Sequence, residues 1–376
     1  MRRLLVLAAA AVAVLAVSAA PAGAAPPQPD ATAWYVVNGA NGDVLASSNA
    51  DSPVPIASIT KLMTVIVALK HLSPSDTVTV TAEAARVGEE RIPLRAGQQI
   101  TVLDLLKGAL IQSANDAADA LAAAAADGDI PLFVSWMNAK ARAMGLHETN
   151  FVRPDGLDAP GHLSSARDVS VLARAAMRIP IVRTLVAEED DTIENGEVPV
   201  HTWNDLLGVF PGLIGVKTGH TNDAGWCEVA AARRPGYTIY AVILGSPTRT
   251  QRNADLRRLL AWGVAQYRTL TLIGETAYAS AAVEFGKAPV QLVAPTPLVG
   301  VVRVGRPLVE RVVAPTAVTL PVRAGERLGT VQIWSGKTLL GSRPLVAARS
   351  VARPGLGGRI RWYARRTMHD FLGFFR

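Results

Sequence analysis

The alternation of hydrophobic and polar positions divides the chain into a mixed region and a later strand-rich region. The first apolar stretch alternates on both sides of Asn41-Gly42, which predicts a β-hairpin. Segments 215–233 and 237–246 are interpreted as two further strands, and a helical pattern closes the region near Tyr267. Between the hairpin and these strands, helical patterns cover residues 58–72, 102–114, 115–126, 131–144 and 166–177. The pattern predicts an α/β (α+β) domain over residues 25–270.

Beyond residue 277 the pattern changes to short Val-rich runs separated by Pro and Gly, such as PVQLVA, LVERVVA and LGTVQIW. Regularly spaced short strands with such breaks are typical of an all-β sandwich. We therefore predict a second, small β-sandwich domain over residues 275–350.

The N-terminal residues have the pattern of a secretory signal peptide. Arg2 and Arg3 form a basic n-region, residues 4–17 form an apolar h-region, and Ala-Gly-Ala at 22–24 is a small-residue cleavage site. The alternative is an N-terminal anchor that is not cleaved. Residues 1–24 are thus predicted to lie outside the fold, and the mature protein is expected to be exported.

The formal net charge of +7 is concentrated at the ends of the chain. Residues 353–376 contain six Arg and one Asp, and this confinement argues against a nucleic-acid-binding domain. A helix over 355–376 would be amphipathic and basic, which favours contact with an anionic membrane surface; the alternative is a helix packed on the protein body. Its apolar side would carry Ile360, Tyr363, Thr367, Phe371 and Phe374, and its basic side Arg361, Arg365 and Arg366.

Ser58 and Lys61 lie three residues apart at the start of the first helical pattern, so the hydroxyl and the amine share one helix face. Lysine is scarce in this chain, with seven residues against 31 Arg. An arginine keeps its proton in proteins, whereas a buried lysine can lose it and act as a base. We interpret Lys61 as the candidate base for a Ser58 nucleophile. Taken alone, the pair is also compatible with a helix cap beside a lysine that extends to solvent.

Two further motifs follow in order: Ser113-x-Asn115 between helical patterns, and Lys-Thr-Gly at 217–219 ahead of a strand. The ordered set Ser-x-x-Lys, Ser-x-Asn and Lys-Thr-Gly resembles the penicillin-recognising serine enzymes. The segments ASITKLMT, GALIQSANDAADALA, MGLHETNFVRPDGLDAPGHLSSARDVSVLAR and GVKTGHTNDAGWCEVAAA are closest to the low-molecular-mass penicillin-binding proteins, the D-alanyl-D-alanine carboxypeptidases. The resemblance runs from residue 33 to about residue 267, and the β domain and the tail extend it.

The resemblance implies a β-lactamase/transpeptidase-like catalytic domain in which three residues carry out the reaction. Ser58 attacks the carbonyl between two terminal D-alanines and forms an acyl-enzyme. Lys61 acts as the base, and Ser113 transfers the proton towards the leaving amine.

The resemblance also implies the residues that bind the substrate. Asn115 binds the substrate backbone, and Lys217 and Thr218 hold the terminal carboxylate, with Gly219 allowing a close approach. The N–H groups of the nucleophile and of His220 form the oxyanion hole. One departure concerns Trp203, which lies where the family usually has a polar residue before Lys-Thr-Gly.

The implied partners are a peptidoglycan stem peptide that ends in D-Ala-D-Ala and, as inhibitors, β-lactam antibiotics. Neither a metal nor a cofactor is expected, because the chain has no ligand spacing such as His-Glu-x-x-His. The expected location is the outer, periplasmic face of the cytoplasmic membrane. A lone Cys227 in an apolar run is expected to be buried and unreactive.

Three alternatives remain open at this point. A β-lactamase would use the same fold, and Glu148 is its candidate water-activating base, although the second motif reads Ser-Ala-Asn rather than Ser-Asp-Asn. A D,D-endopeptidase or transpeptidase would use the same residues on another bond or acceptor. A non-catalytic, membrane-bound peptidoglycan-binding protein belongs to a different class, and the intact Ser58, Lys61 and Lys217 argue against it.

Overall fold

The computed structural model describes residues 10–17 and 25–373. The chain divides into two compact units: one comprises residues 24–265, and the other residues 266–376 together with strand β1 (Ala10–Val17). Each unit has a hydrophobic core of its own. The predicted combination of a mixed region and a β-rich region is confirmed.

The mixed unit is built from helices around one central sheet. Its strands are β2 (Ala33–Asn38), β3 (Val44–Ser48), β4 (Thr77–Thr79), β5 (Gln99–Thr101), β6 (Asp190–Ile193), β7 (Val198–His201), β8 (Leu213–Thr221), β9 (Gly225–Arg234) and β10 (Tyr237–Ser246). Its helices are α1 (Lys61–Ala68), α2 (Ala82–Arg86), α3 (Val102–Lys107), α4 (Asn115–Ala125), α5 (Ile130–Ala143), α6 (Ala166–Ala176), α7 (Pro180–Leu185) and α8 (Arg249–Ala265).

The central sheet is antiparallel, with the strand order β3-β2-β10-β9-β8. The predicted hairpin joins β2 to β3, and Gly42 supplies its positive φ of 76°. Most positions of β9 and β10 are buried, because they lie in the interior of the sheet. Strand β8, which carries Lys-Thr-Gly, forms an edge of the sheet, so its outer side remains available to another chain segment.

Helix α1 is the central helix of this unit. All eight of its residues are buried, and it packs against α4, α5 and α6. A helix that is apolar on almost every side must be surrounded by protein. The predicted helix over 58–72 is shorter in the structure: a 3₁₀ turn, Ala57–Thr60, precedes α1, and the helix ends at Ala68, just before Lys70 and His71 reach the surface.

The second unit is mostly β-structure. It contains β11 (Tyr267–Ile273), β12 (Ala277–Val283), β13 (Val290–Val293), β14 (Leu298–Arg303), β15 (Leu308–Pro315), β16 (Ala317–Val318), β17 (Arg327–Ser335), β18 (Thr338–Ala347) and helix α9 (Leu356–Gly373). Its main sheet has the order β1-β15-β17-β18-β13-β12-β16, and β11 pairs with β14 beside it. Alternating residues such as Val331 and Ile333 on β17 face its core.

Residues 10–17 of the predicted signal peptide form a strand of the β-rich sheet. Strand β1 pairs antiparallel with β15, from Ala10 opposite Pro315 to Val17 opposite Leu308. An apolar segment in the extended conformation satisfies its backbone groups well on an open sheet edge. In the full-length chain residues 10–17 thus extend the β-rich sheet, and the removal of residues 1–24 as a signal peptide stays a prediction.

Helix α9 lies within the predicted C-terminal segment. Trp362 and Tyr363 contact the ring of Phe285 at centroid distances of 5.4 Å and 6.2 Å, so one side of the helix packs on its own unit. Phe374, assigned to the apolar side from sequence, lies outside the described residues. Within the described range, no helix is long and apolar enough to cross a bilayer. Among the side chains that the structure describes on this helix, four large hydrophobic ones are exposed, those of Leu356, Ile360, Tyr363 and Met368.

Candidate active site

The candidate nucleophile Ser58 lies in the 3₁₀ turn Ala57–Thr60, directly before α1. Ala57 has a φ of 49°, which is uncommon for a residue with a side chain. A Cβ atom at Gly156 would lie 2.2 Å from the Ala57 carbonyl oxygen, so only glycine allows this backbone approach. The strained turn places Ser58 on the wall of a cavity of about 370 Å³ that opens to solvent.

Lys61 is fully buried at the first position of α1. Its Nζ atom lies 2.8 Å from Ser58 Oγ, 2.6 Å from Asn115 Oδ1 and 2.7 Å from the Asp155 carbonyl oxygen. Burial lowers the pKa of Lys61 to about 8, even though nearby carboxylates oppose the shift. A fraction of this lysine is therefore neutral near pH 7 and can accept the hydroxyl proton of Ser58.

Ser113 is presented by an unusual break in helical structure. Helix α3 continues into a π-helical turn, Gly108–Gln112, and Ser113 follows with a left-handed φ of 65°. Single π-turns and left-handed non-glycine residues both occur preferentially at functional sites. Ser113 Oγ accepts a hydrogen bond from Lys217 Nζ at 2.7 Å.

Lys217 and Thr218 project from the edge strand β8. Lys217 is buried, and its Nζ also donates to the Thr218 carbonyl oxygen at 3.1 Å. Burial, and then the neighbouring charge of Lys61, lowers the pKa of Lys217 well below its ordinary value. A bound carboxylate would oppose this shift, because it favours the ammonium form of Lys217.

Gly219 brings β8 against the nucleophile. A Cβ atom at this position would lie 2.9 Å from the Ile56 carbonyl oxygen and 3.0 Å from the Ser58 nitrogen. The backbone of β8 and the N–H group of Ser58 are therefore in close contact. His220 follows on the same strand and lines the cavity, and its ring lies against that of Trp226, with the centroids 4.0 Å apart and the planes tilted by 32°.

Asn115 links the first two motifs to a neighbouring loop. Its side-chain amide contacts Lys61 through Oδ1 and donates to the Gly88 carbonyl oxygen at 3.0 Å through Nδ2. Its backbone N–H donates to the Glu90 carbonyl oxygen at 2.7 Å. The structure thus brings all eight sequence-predicted site residues into one region. The cavity itself is lined by Ser58, Glu89, Glu90, Ser113, Trp203, Thr218, Gly219, His220, Trp226, Arg249 and Arg252.

Comparison with known sequences identifies the family. The profile of the D-alanyl-D-alanine carboxypeptidases matches residues 20–248, and that of the penicillin-binding protein 5 C-terminal domain matches residues 267–353. The chain belongs to the D-alanyl-D-alanine carboxypeptidase family. The predicted activity, that of a serine peptidase of this class, is confirmed.

The carboxypeptidase has relatives that match most of its length. D-alanyl-D-alanine carboxypeptidase DacC of Escherichia coli is 33% identical over 369 residues, which cover 92% of this chain and 90% of that protein. The structure of penicillin-binding protein 5 from Haemophilus influenzae superposes with a TM-score of 0.65 at 28% identity, covering 88% of this chain and all of its own. Penicillin-binding protein D2 from Listeria monocytogenes, solved in its ampicillin-bound form, superposes with a TM-score of 0.57 at 31% identity, covering 63% and 98%.

The sequence did not reveal a charged group behind the Lys-Thr-Gly strand of the carboxypeptidase. Glu228 lies opposite Thr218 in the β8–β9 register, and its Oε2 is 3.1 Å from Nε of Arg252, with both side chains buried. Burial raises the pKa of Glu228 to about 7, and the charge of Arg252 opposes that shift. Arg252 also lies 5.7 Å from the ring of Trp226. The one available signal was the i, i+3 spacing of Arg249 and Arg252 at the start of a helix.

The departure at Trp203 has a structural counterpart. Its indole N–H donates to the Gln112 carbonyl oxygen at 3.1 Å, and the guanidinium of Arg249 lies 5.2 Å above its ring. Arg249 is held there by Asp205, whose Oδ2 lies 2.7 Å from its Nε. An arginine thus borders the site near Trp203, but it comes from α8 rather than from the segment before Lys-Thr-Gly.

Two residues considered in the sequence analysis, Glu148 and Cys227, do not line the active-site cavity. Glu148 is exposed and does not line the cavity, so the structure gives the carboxypeptidase no β-lactamase-type base at that position. Cys227 is completely buried, and burial raises the pKa of its thiol to about 11. The expectation of a buried, unreactive cysteine is confirmed.

Proposed function

We propose that the carboxypeptidase works through an acyl-enzyme on Ser58, with neutral Lys61 as the base. The observation that carries this proposal is the buried Lys61 Nζ at 2.8 Å from Ser58 Oγ, with its pKa lowered to about 8. Lys61 takes the hydroxyl proton as Ser58 Oγ attacks the carbonyl between the terminal D-alanines. Ser113 Oγ passes a proton to the leaving amine, and water then hydrolyses the ester.

The proposed substrate is a peptidoglycan stem peptide ending in D-Ala-D-Ala. Its terminal carboxylate binds between Lys217 Nζ and the Thr218 hydroxyl, and buried Arg252 adds positive charge behind Thr218. The carbonyl oxygen that becomes negative is placed at the N–H groups of Ser58 and His220. Asn115, held by Lys61 on one side, orients the peptide upstream of the cleaved bond.

The proposed inhibitors are β-lactam antibiotics, which present a carboxylate next to a strained amide. Lys217, Thr218 and Ser58 would engage them as they engage the terminal dipeptide. The ampicillin-bound structure of the Listeria relative supports this proposal. Hydrolysis of the resulting ester would be slow, because Glu148, the candidate water-activating residue, does not line the cavity.

The test is mass spectrometry of the protein after brief exposure to benzylpenicillin. We expect a stable adduct on Ser58, no adduct in Ser58→Ala, and an unchanged adduct in Ser135→Ala, which alters an exposed serine of α5. Release of D-alanine from a pentapeptide by the wild type would then establish carboxypeptidase action. Rapid hydrolysis of penicillin without an adduct would instead indicate a β-lactamase, and no reaction in any variant would favour a non-catalytic binding protein.

We also propose that α9 lies on the anionic outer surface of the cytoplasmic membrane, after removal of residues 1–24 during export. The exposed side chains of Leu356, Ile360 and Met368 support the first part, because a helix that lies in a membrane interface buries its apolar side chains among the lipid headgroups. Sedimentation with phosphatidylglycerol vesicles should fall in Ile360→Ser/Met368→Ser, and neutral vesicles should bind the protein less. The control is Arg323→Gln/Arg327→Gln, which alters exposed residues of the β-rich unit. N-terminal sequencing of exported protein tests the cleavage.

A further inference from the structure

Four arginine side chains line a second cavity of the mixed unit, which has a volume of about 360 Å³ and opens to solvent. Arg174 lies in the last turn of α6, Arg178 follows that helix, and Arg233 and Arg234 end strand β9. No acidic residue is among those that line this arginine cavity. Its volume is in the range of small-molecule binding sites.

The arginine cavity lies at the other end of the central sheet from the active site. Trp226, which lines the active-site cavity, is at the start of β9, whereas Arg233 lies at the end of the strand, before the turn into β10. Seven positions of extended strand separate the two residues, which corresponds to about 23 Å. The four arginines therefore have no part in the chemistry derived above.

Three of the arginines act on one buried tyrosine. Arg233 lies opposite Thr238 in the β9–β10 register, and Tyr240 follows two residues later, so these three side chains share one face of the sheet. Burial raises the pKa of Tyr240, and the charges of Arg174, Arg233 and Arg178 oppose that shift. Tyr240 thus keeps its proton and lines the cavity as a neutral hydrogen-bond donor close to three positive charges.

The protein does not neutralise these charges with carboxylates. Among the ion pairs of the described residues, none includes any of the four arginines. Arg174 and Arg178 complement the negative end of the α6 dipole, but Arg233 comes from a strand and has no such partner. Like charges around one cavity raise the free energy of the folded chain, and a bound anion would remove that cost.

We propose that the arginine cavity binds a multiply charged phosphate ligand, of which pyrophosphate is the simplest example. Guanidinium groups from a helix and from a strand approach from different directions, which suits an anion with oxygen atoms on several sides. A carboxylate has only two oxygens in one plane and a single charge. The hydroxyl groups of Thr238 and Tyr240 supply neutral donors beside the arginines.

The test is isothermal titration of the full chain with sodium pyrophosphate at constant ionic strength. We expect saturable binding by the wild type and an affinity at least about tenfold lower in Arg174→Gln/Arg233→Gln, which loses two charge-assisted donors. The matched control Arg86→Gln/Arg142→Gln removes the same charge from exposed positions of α2 and α5 and should bind as the wild type does. All three proteins should give the same circular-dichroism spectrum.

Two further ligands define the chemistry and its source. Malonate, with two carboxylates, should bind more weakly than pyrophosphate; equal affinity would overturn the assignment to phosphate. Sedimentation with phosphatidylglycerol vesicles separates the two sources of phosphate: a loss in Arg174→Gln/Arg233→Gln assigns the site to lipid headgroups, and an unchanged result assigns it to a phosphate outside the membrane. Absence of saturable pyrophosphate binding, or equal affinity in the wild type and both double variants, would overturn the proposal.

Discussion

The active site contains two serine–lysine pairs, which differ in how the fold brings the two residues of each pair together. Ser58 and Lys61 lie 2.8 Å apart within one continuous helical segment, whereas Ser113 and Lys217 meet at 2.7 Å across 104 positions of sequence. In the proposed mechanism Lys61, which is surrounded by oxygen acceptors, is neutral and acts as a base. Lys217 is charged in that mechanism and binds a carboxylate. The proposal therefore assigns opposite charge states to two lysines that each contact a serine.

The largest expected effect comes from removing Lys61, the proposed base of the first pair. Lys61→Met retains most of the side-chain volume but has no amine, and we expect the acylation rate to fall by about a thousandfold. Methionine leaves the Asn115 Oδ1 and Asp155 carbonyl oxygens without the Lys61 donor, so we expect a lower melting temperature with an unchanged circular-dichroism spectrum of the folded protein. Retention of the wild-type acylation rate would show that Lys61 is not the base and would reverse the roles of the two pairs.

A substitution of Gly219 should move strand β8, which carries Lys217, away from Ser58 without replacing a residue of either pair. Gly219→Ala adds a Cβ atom that would lie 3.0 Å from the Ser58 nitrogen and 2.9 Å from the Ile56 carbonyl oxygen. Strand β8 must then move away from the nucleophile, and a displacement on this scale costs about a hundredfold in kcat/KM. Stopped-flow acylation by a chromogenic cephalosporin measures it. The control Gly97→Ala alters a glycine with nothing nearby, so it should lose stability but not the acylation rate.

The pH dependence should distinguish the two lysines by sign. Because the neutral form of Lys61 is active and its pKa is about 8, the acylation rate at saturating peptide should rise with pH and level off above about 8 to 9. Loss of the Lys217 proton should act in the opposite direction, raising KM as pH rises. Rates followed from pH 6 to 10 with kcat and KM separated would reveal both limbs. A kcat that falls over this range would contradict the assignment of Lys61.

The smallest effect concerns the backbone that presents Ser113. Ser113→Ala and Ser113→Gly both remove the hydroxyl and should slow acylation to a similar degree. Since the residue has a φ of 65°, glycine fits the left-handed conformation without strain, and Ser113→Gly should be more stable than Ser113→Ala by about 1 kcal/mol. Urea unfolding of the two variants measures the difference. Equal stability would show that the left-handed turn costs the protein nothing.

The sequence predicted the first pair and much of the fold because both depend on local pattern. Neighbouring residues alone indicate the i, i+3 pair of Ser58 and Lys61, the Asn-Gly hairpin and the Val-rich strands. The second pair was placed only through the resemblance to a family, because no local rule joins Ser113 to Lys217. The contact depends on the π-turn before Ser113 and on the β8 register, which are tertiary features.

The residues that sequence reasoning missed share this origin. The pairing of Glu228 with Arg252 joins a strand to a following helix. The loop that carries Glu89 and Glu90 is positioned by hydrogen bonds from the Asn115 side chain and backbone to its carbonyl oxygens. Their residue types were visible, but they resembled ordinary surface charges of a helix and a loop. Strand β1 was missed for a different reason. The apolar pattern of a signal peptide is also compatible with a β-strand, and the segment forms a strand here because the edge of β15 is available for pairing.

The pairing of β1 with β15 has a consequence for maturation. Cleavage after residue 24 would remove a complete strand, and the backbone groups of Leu308–Pro315 would then form the outer margin of the sheet. Such margins recruit strands from other molecules unless charged side chains discourage it. Strand β15 carries two charged residues in succession near its middle, Glu310 and Arg311. Their charges would oppose the pairing of this edge with the same edge of another processed molecule.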